Sequence, residues 1–200
     1  MEGKFIVFEG IDGSGKSTQF KLFCDELKKR GLNPWKTFEP TRGPIGNLIR
    51  ERFHSLSDGL IYTLLFYADR IEHNFNIQEK LKQGFTVVSD RYYHSTLAYQ
   101  AAQGLDMKFL VEFHRLLRSS GKIQKPDLVF FIDVPTEEAM KRINARPKEK
   151  IKIFERLEFL KKLRKNYLKL QELLDENIFV IDGTGTIEEV HKRVCSAVHL

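Results

Sequence analysis

The glycine-rich stretch "VFEGIDGSGKSTQ", residues 7–19, contains residue types and spacings that suit phosphate chemistry. Within it, residues 10–17 match the pattern G-x-x-x-x-G-K-[ST]. Glycines let backbone N–H groups turn inward around a phosphate, and a helix that begins near Lys16 directs the positive end of its dipole there. Lys16 adds a charge, and the Ser17 hydroxyl can reach Mg²⁺. The sequence therefore predicts a triphosphate site formed by Gly10, Ile11, Asp12, Gly13, Ser14, Gly15, Lys16, Ser17 and Thr18.

Two further pairs of residues could perform chemistry beside such a loop. In "VVSDR", Asp90 can organise Mg²⁺ and its waters, and Arg91 can hold a second phosphate group next to the first. A surface ion pair at a strand end is the alternative. Phe66 and Arg70 are four residues apart, so on a helix they share a face that offers a stacking plane and a fork of donors. Considered alone, such a pair is more often a core edge and a salt bridge.

The elements that must position these residues alternate along the chain. Apolar runs with little polar alternation, in "KFIVFEG", "WKTFE", "FTVVSD", "DLVFFIDV" and "NIFVID", predict five strands covered on both faces. Helices are predicted after the glycine loop, in "GNLIRERFHSL", at 58–82 with an Asp58 cap, at about 94–120, and in "TIEEVHKRVCSAV". This order predicts one α/β domain over residues 1–200, with a three-layer P-loop fold and a five-stranded parallel sheet flanked by helices.

Composition narrows the class of protein further. A chain of 200 residues that is 42% hydrophobic suits one globular domain. It has no apolar run near the roughly 20 residues of a membrane span and no signal-type segment, so we expect a soluble protein of the cytoplasm with no membrane partner. Cys24 and Cys195 lie far apart in helical contexts, which predicts buried thiols rather than a disulfide framework or a metal site.

The positive charge is concentrated in one segment. Formal net charge is +6, and residues 137–170 contain twelve Lys or Arg against five Glu. We interpret most of this charge as a solvated helix face. Binding to nucleic acid would require basic residues interleaved with stacking aromatics, or a known reading motif, and the segment has neither.

A phosphate-binding loop identifies the phosphoryl donor but leaves the reaction open, because GTPases, ATPase motors and small-molecule kinases share it. A GTPase should contain an N-K-x-D type sequence, which this chain lacks, and a motor ATPase is normally larger. A kinase of a small anionic acceptor remains. The basic, proline-interrupted stretch "NARPKEKIKIFE" between two helices could be a mobile cover over bound anions.

Five motifs, "FEGIDGSGKSTQ", "FEPTRGPIGNLIR", "LLFYADR", "DRYYHSTLAYQ" and "KPDLVFFIDV", occur in the order and spacing of thymidylate kinases. The resemblance covers essentially the whole chain from Phe5, and "DRYYHSTLAYQ" is its most specific part. It implies transfer of the γ-phosphoryl group of ATP to dTMP, with Mg²⁺ as cofactor. It also implies a homodimer, for which the helix at 58–82 could provide the interface. Another nucleoside monophosphate kinase, a deoxynucleoside kinase and a non-catalytic nucleotide-binding regulator stay open as alternatives.

The same resemblance implies roles in the acceptor site. Asp12 would accept from the sugar 3′-hydroxyl, Phe66 would stack on thymine, and Arg70 would donate to the carbonyl edge of the base. Arg91 would bind the dTMP phosphate, and Tyr99 would pack under the sugar and disfavour a 2′-hydroxyl. The family closes and lines this site with residues that correspond here to Phe38, Glu39, Thr96 and Gln100.

Thymidylate kinases divide by the location of their catalytic arginine. One type has it inside the phosphate loop, whereas the other supplies it from a lid. Here Gly13 fills the loop position and "KRINARPKEK" follows the fourth strand, so the chain resembles the second type, with a lid at about 142–154. Arg142 would lie against adenine, and Arg146 would bridge the donor and acceptor phosphates. The catalytic residues would then be Lys16, Asp12, Arg91 and Arg146.

Two departures from the family pattern leave questions open. Lysines at 148, 150 and 152 stand in a lid that is arginine-rich in relatives of this type, so another lid cation could reach the transferred group. Many relatives have R-E-P-G-G-T after the second strand, whereas this chain has Phe38-Glu39-Pro40-Thr41-Arg42-Gly43. Either the phosphate contact has moved to Arg42, or Arg42 faces solvent.

Overall fold

The computed structural model describes residues 3–52, 58–145 and 157–198. Five strands form its sheet: β1 Phe5–Glu9, β2 Pro34–Phe38, β3 Thr86–Asp90, β4 Leu128–Asp133 and β5 Ile178–Asp182. They lie in the order β2-β3-β1-β4-β5, and every neighbouring pair is parallel. The five predicted strands and the parallel sheet are confirmed.

Eight helices flank the sheet in the described part of the chain: α1 Lys16–Lys29, α2 Pro44–Arg52, α3 Gly59–Lys82, α4 Tyr93–Ala102, α5 Met107–Ser119, α6 Thr136–Asn144, α7 Leu157–Leu173 and α8 Ile187–Ser196. Asp58 caps α3 as predicted, because its side chain accepts from the N–H of Leu60. The helical sequence predicted at about 94–120 forms two helices, α4 and α5. The chain turns between them at Gly104, with a φ of 110°, and Asp106 caps the second helix by accepting from the N–H of Phe109.

Successive side chains of the central strand β1 point to opposite faces of the sheet, and each face is covered by a layer of helices. Phe5 and Val7 point into a core shared with α3, α4, α5 and α7, whereas Ile6 and Phe8 point into a second core shared with α1 and α8. Because both faces of the strand are covered, apolar residues follow one another without polar interruption. This is the α/β architecture expected from the sequence.

The sheet order brings two chemically important chain ends together. β1 lies between β3 and β4, and Phe8 of β1 is in register with Asp90 at the end of β3. Ligands of open parallel sheets bind outside the carboxyl ends of strands, where neighbouring connections leave in opposite directions. The glycine loop after β1 and the "DR" pair after β3 therefore meet at one edge of the sheet.

The two cysteines differ in burial. Cys24 is buried as predicted, whereas Cys195 is only half-buried, near the end of the surface helix α8. Both are free thiols. In residues 3–52, 58–145 and 157–198, no group of three or more His, Cys, Asp or Glu is arranged to hold a metal, and no helix combines the length and apolarity needed to cross a membrane.

Candidate active site

The glycine loop lies between β1 and α1 in a conformation that requires its glycines. Gly13 has a φ of 82° and Gly15 a φ of 89°, in the left-handed region that side chains disfavour. At Gly13, an added Cβ would also lie 2.4 Å from the carbonyl oxygen of Ala139. Since Gly15 directly precedes α1, the first N–H groups of that helix face the loop. The strand, loop and helix context predicted for the phosphate site is therefore present.

Lys16, Ser17 and Asp90 meet at the mouth of this loop. The Lys16 ammonium contacts the Asp90 carboxylate, and the Ser17 hydroxyl donates to Asp90 Oδ2 at 3.0 Å. Burial, followed by the charge of Arg91, lowers the pKa of Lys16 well below its ordinary value. A polyphosphate would offset both effects by adding negative charge. A hydroxyl and a carboxylate at this distance are hard oxygen donors, which is the donor set that suits Mg²⁺.

Arg91 connects the loop to the rest of the site. Its φ of 75° is unfavourable for a residue with a Cβ, and such backbone strain is concentrated at functional sites. Its guanidinium donates to the Gly10 carbonyl oxygen at 3.3 Å and to Asp12 Oδ1 at 2.9 Å, and it lies 5.3 Å from the centroid of the Tyr99 ring. Burial alone lowers the pKa of Arg91, but Tyr99, Tyr167, Asp12 and Glu9 outweigh burial and hold the pKa well above its ordinary value.

Glu9 is a buried carboxylate behind Arg91 that the sequence did not single out. It accepts from the N–H of Tyr92 at 2.8 Å, the hydroxyl of Ser95 at 2.7 Å and the hydroxyl of Tyr167 at 3.0 Å. The same two hydroxyls lie 3.1 Å and 3.3 Å from Arg91 Nη1. Glu9 thus orders the groups that hold Arg91. The only signal in sequence is an acidic residue at the end of an apolar strand.

A cavity of about 410 Å³ opens beside Arg91. Most of the predicted acceptor residues line it: Asp12, Glu39, Phe66, Arg70, Arg91, Thr96, Tyr99 and Gln100. Phe38 does not. It lies in a neighbouring groove, where the residue is 40% exposed and the Arg42 guanidinium is 5.7 Å from the ring centroid. The structure thus brings eight of the nine predicted acceptor residues to one cavity.

Arg70 reaches this cavity from α3 while its side chain is only 1% exposed. Its Nε donates to Glu39 Oε2 at 2.8 Å and its Nη2 donates to Thr96 Oγ1 at 3.1 Å. Among the described residues, Nη1 is buried and has no hydrogen-bond partner. Buried donors are nearly always satisfied, so an unpartnered Nη1 on a residue that lines the cavity suits a ligand acceptor.

Glu39 is itself held from behind. His73 Nδ1 lies 3.0 Å from Glu39 Oε1, and His73 Nε2 lies 2.7 Å from the Thr37 hydroxyl. Both Glu39 and His73 are buried. A chain of contacts from β2 through α3 therefore fixes the plane of the Arg70 guanidinium.

Arg50 lines the cavity, and sequence reasoning missed it. Its Nη1 donates to the Pro40 carbonyl oxygen at 2.7 Å, and its Nη2 contacts the Thr41 carbonyl oxygen and Asn47 Oδ1. The guanidinium is thereby held at the cavity edge. Its place within the quoted motif "FEPTRGPIGNLIR" was the available signal.

Arg142 lies across the outer side of the phosphate loop. It donates to the carbonyl oxygens of Ser14 at 3.3 Å and Gly183 at 3.2 Å, and its Nε donates to Glu138 at 3.0 Å. Its predicted contact with adenine stays a prediction. Arg146 and residues 146–154 of the predicted lid lie outside the described residues.

A phosphate loop at the carboxyl end of the central strand, with a basic cavity next to it, defines a P-loop kinase of small phosphorylated acceptors. A family model described as thymidylate kinase matches residues 8–194. The chain belongs to the thymidylate kinase family, whose members are nucleoside monophosphate kinases. The resemblance, the fold and the enzyme class inferred from sequence are thereby confirmed.

Relatives and a solved structure match almost the full chain. A probable thymidylate kinase of Thermococcus kodakarensis is 40% identical and covers 97% of this chain and 96% of its own length. One of Methanocaldococcus jannaschii is 41% identical, with coverages of 97% and 95%. The structure of the thymidylate kinase from Candida albicans, which is described as revealing the origin of that enzyme's broad substrate specificity, is 28% identical with a TM-score of 0.79. This match covers 99% of this chain and 92% of that one.

Proposed function

We propose that the protein transfers the γ-phosphoryl group of ATP to dTMP, forming dTDP and ADP. The observation that carries the proposal is the position of Arg91. It contacts Gly10 and Asp12 of the phosphate loop and also lines the acceptor cavity. A cation at this junction can bind an acceptor phosphate next to the triphosphate, which is the arrangement that phosphoryl transfer requires.

On the donor side, N–H groups of the loop and the Lys16 ammonium hold the triphosphate. Ser17 and Asp90 would hold Mg²⁺, Asp90 through water, and the ion would neutralise charge on the donor phosphates. Lys16 and Asp90 are in contact, so Lys16 must exchange part of that contact for phosphate oxygens. Arg142 would lie along adenine from its position beside Ser14.

On the acceptor side, Arg91 binds the phosphate of dTMP. Asp12 lies at the loop edge of the cavity, where it can accept from the 3′-hydroxyl of the sugar. The Tyr99 ring, 5.3 Å from the Arg91 guanidinium, would pack under that sugar and disfavour a 2′-hydroxyl. Phe66, which lines the same cavity, would stack on the base.

Recognition of the base uses one donor and one acceptor. The unpartnered Nη1 of Arg70 donates to a carbonyl oxygen of thymine, O4. Thr96 holds Arg70 in place and lies one helical turn from Gln100 on α4, so both side chains face the base. A donor from Arg70 fits the O4 carbonyl of thymine and uracil. The same donor opposes cytosine, which has an amino group in place of O4.

The chemical step asks for alignment and charge neutralisation. The dTMP phosphate is already an anionic nucleophile, so its oxygen attacks the γ-phosphorus and the ADP oxygen leaves, without a strong general base. Lys16 and Arg91 offset the repulsion between the two anions. Arg146 would supply a further cation from the lid.

The test is steady-state release of ADP with ATP and Mg²⁺, offering dTMP, dUMP, ribosyl-TMP, dCMP, dGMP and thymidine separately. We expect turnover to be strongest with dTMP. Strongest turnover with thymidine would show a nucleoside kinase, and strongest turnover with dCMP or dGMP would overturn the assignment of Arg70. Absence of turnover with every acceptor would favour a nucleotide-binding regulator.

We also propose a homodimer in the cytoplasm, where ATP and dTMP are available. Exposed apolar side chains recur at helical spacing along α3, and support an interface there: Ile61 (42% exposed), Leu64 (51%) and Phe75 (63%). Leu48 on the adjacent α2 is 41% exposed. Sedimentation of the wild type and of Leu64→Glu tests this, since a buried charge at the interface should shift the mass from dimer to monomer.

A further inference from the structure

The amide of Gln100 has one determined orientation at the cavity wall. Its Nε2 lies 3.0 Å from Gln103 Oε1 and 3.4 Å from the Gly59 carbonyl oxygen. A carbonyl oxygen can only accept, so the amide nitrogen of Gln100 must face Gly59. The Gln100 side chain is buried and lines the cavity, and no hydrogen bond to its Oε1 occurs within the described residues.

Gln103 fixes this orientation from the outer end of α4. It lies three residues after Gln100, so the two side chains are neighbours on one helix face. An added Cβ at Gly59 would lie 3.5 Å from Gln103 Oε1, which means that the amide oxygen of Gln103 packs directly against Gly59. Gln103 is otherwise exposed, so its side chain can be changed without opening the core.

We propose that Gln103 is a positioning residue for pyrimidine specificity, an inference that rests on the proposed function. By accepting from Gln100 Nε2, it turns Gln100 Oε1 toward the base. The cavity then presents a donor, Arg70 Nη1, and an acceptor, Gln100 Oε1. Thymine and uracil offer the complementary pair, a carbonyl at C4 and an N–H at N3. Cytosine offers an amino group at C4 and a bare N3, so both contacts become repulsive.

A series of substitutions at position 103 separates this role from simple packing. Gln103→Glu keeps only acceptors, so it should hold the Gln100 amide as the wild type does. Gln103→Leu removes the contact, while the weaker contact to Gly59 remains. Gln103→Lys offers only donors, which favours the reversed amide and places Nε2 of Gln100 toward the base.

The measurement is kcat/KM for dTMP, dUMP and dCMP in the wild type and the three variants. We expect the preference for dTMP over dCMP to change less than about threefold in Gln103→Glu. It should fall about tenfold in Gln103→Leu, the size of one neutral hydrogen bond, and further in Gln103→Lys. Values for dUMP should follow those for dTMP, because both bases present the same edge. A structural defect would instead lower kcat/KM for all three nucleotides alike.

The rise in Tm caused by each nucleotide without ATP provides a second readout that does not need turnover. The preference of this rise in Tm for dTMP over dCMP should change least in Gln103→Glu, more in Gln103→Leu and most in Gln103→Lys. Equal preferences in all variants, by rate or by Tm, would overturn the role of Gln103. A wild type that prefers dCMP to dTMP would instead contradict the proposed function, so the two failures are distinguishable.

Discussion

The phosphate loop and the acceptor cavity recognise their ligands in physically different ways. Residues 10–17 offer a triphosphate backbone N–H groups, a helix terminus and one lysine, and two of the three loop glycines, Gly13 and Gly15, have positive φ values. In the cavity, recognition depends on charged side chains that are held by partners far away in sequence. Arg70 is paired with Glu39, 31 residues away, and Arg91 with Asp12, 79 residues away.

This difference has an energetic consequence. The loop's polar backbone groups are part of the fold whether or not a ligand is present. Its lysine contacts Asp90, and substituting that lysine leaves this carboxylate with the Ser17 hydroxyl as a partner. In the cavity wall, Arg70 and Glu39 are buried as a pair, with side chains 1% and 3% exposed, and removal of one partner leaves the other without compensation in a low-dielectric interior. Loop substitutions should therefore change rates, whereas substitutions in the cavity wall should change both rates and stability.

The largest effect should come from Lys16→Ala. We expect kcat to fall by about 10³-fold or more, because a cation on the transferred phosphoryl group is lost, with a small change in KM for dTMP. Lys21→Ala, at an exposed position on the same helix, is the matched control and should be neutral. Steady-state ADP release measures both. A rise in KM for dTMP without loss of kcat would show that Lys16 serves the acceptor instead.

Glu39→Gln tests whether substitutions in the cavity wall lower stability more than substitutions in the phosphate loop do. The Arg70 guanidinium would lose its buried counter-ion, which should lower the free energy of unfolding by about 3 kcal/mol and also reduce kcat/KM for dTMP. Glu72→Gln, an exposed carboxylate on α3, is the control. Urea unfolding gives the free energies. Equal stability of the two variants would mean that the buried pair contributes little, and that the cavity wall behaves like the loop.

The sequence predicted the local features of both regions. The loop is a contiguous motif, and Phe66 and Arg70 share a helix face because their spacing is helical. Strand β1 was predictable because its apolar run is uninterrupted. Each of these inferences depends on residues within a few positions of one another, where geometry follows from secondary structure alone.

The sequence did not predict the contacts that hold the cavity together. Glu9 meets Tyr167 across 158 residues, and the His73 ring that orients Glu39 lies 34 residues away from it. Spacing along one element carries no information about such pairs. Phe38 was assigned to the cavity by its position in a motif, but its alternation on the edge strand β2 directs its ring into the neighbouring groove.

Tyr167→Phe tests whether the network behind Arg91 matters for acceptor binding. The hydroxyl donates to Glu9 and lies 3.3 Å from Arg91 Nη1, so its loss should raise KM for dTMP about tenfold. Phenylalanine keeps the stacking on Phe131, whose ring centroid lies 4.9 Å from that of Tyr167. Tyr93→Phe is a matched control, because it removes a buried hydroxyl bound to Glu176 instead. If both variants raise KM equally, the effect is a general loosening of the packing of α4 and α7, which carry these two residues.

His114→Phe should have the smallest effect, and the effect should depend on pH. Both ring nitrogens of His114 are buried without a hydrogen-bond partner among the described residues, and its ring lies 4.0 Å from that of Tyr93, a contact that phenylalanine retains. Removing unsatisfied groups should stabilise the fold by about 1 kcal/mol at pH 8.

Burial, opposed by the nearby carboxylate of Glu176, lowers the pKa of His114 to about 3. The unfolded chain binds a proton near the ordinary pKa of about 6.5, so the stability that neutral His114 contributes is complete above that value and is lost as pH falls toward 3. Phenylalanine does not have this loss, and its advantage should therefore grow by a further ~1 kcal/mol between pH 8 and pH 6. Urea unfolding at both pH values measures the difference. A pH-independent difference would mean that His114 binds a proton equally well in the folded and the unfolded protein, so that the attraction of Glu176 offsets burial.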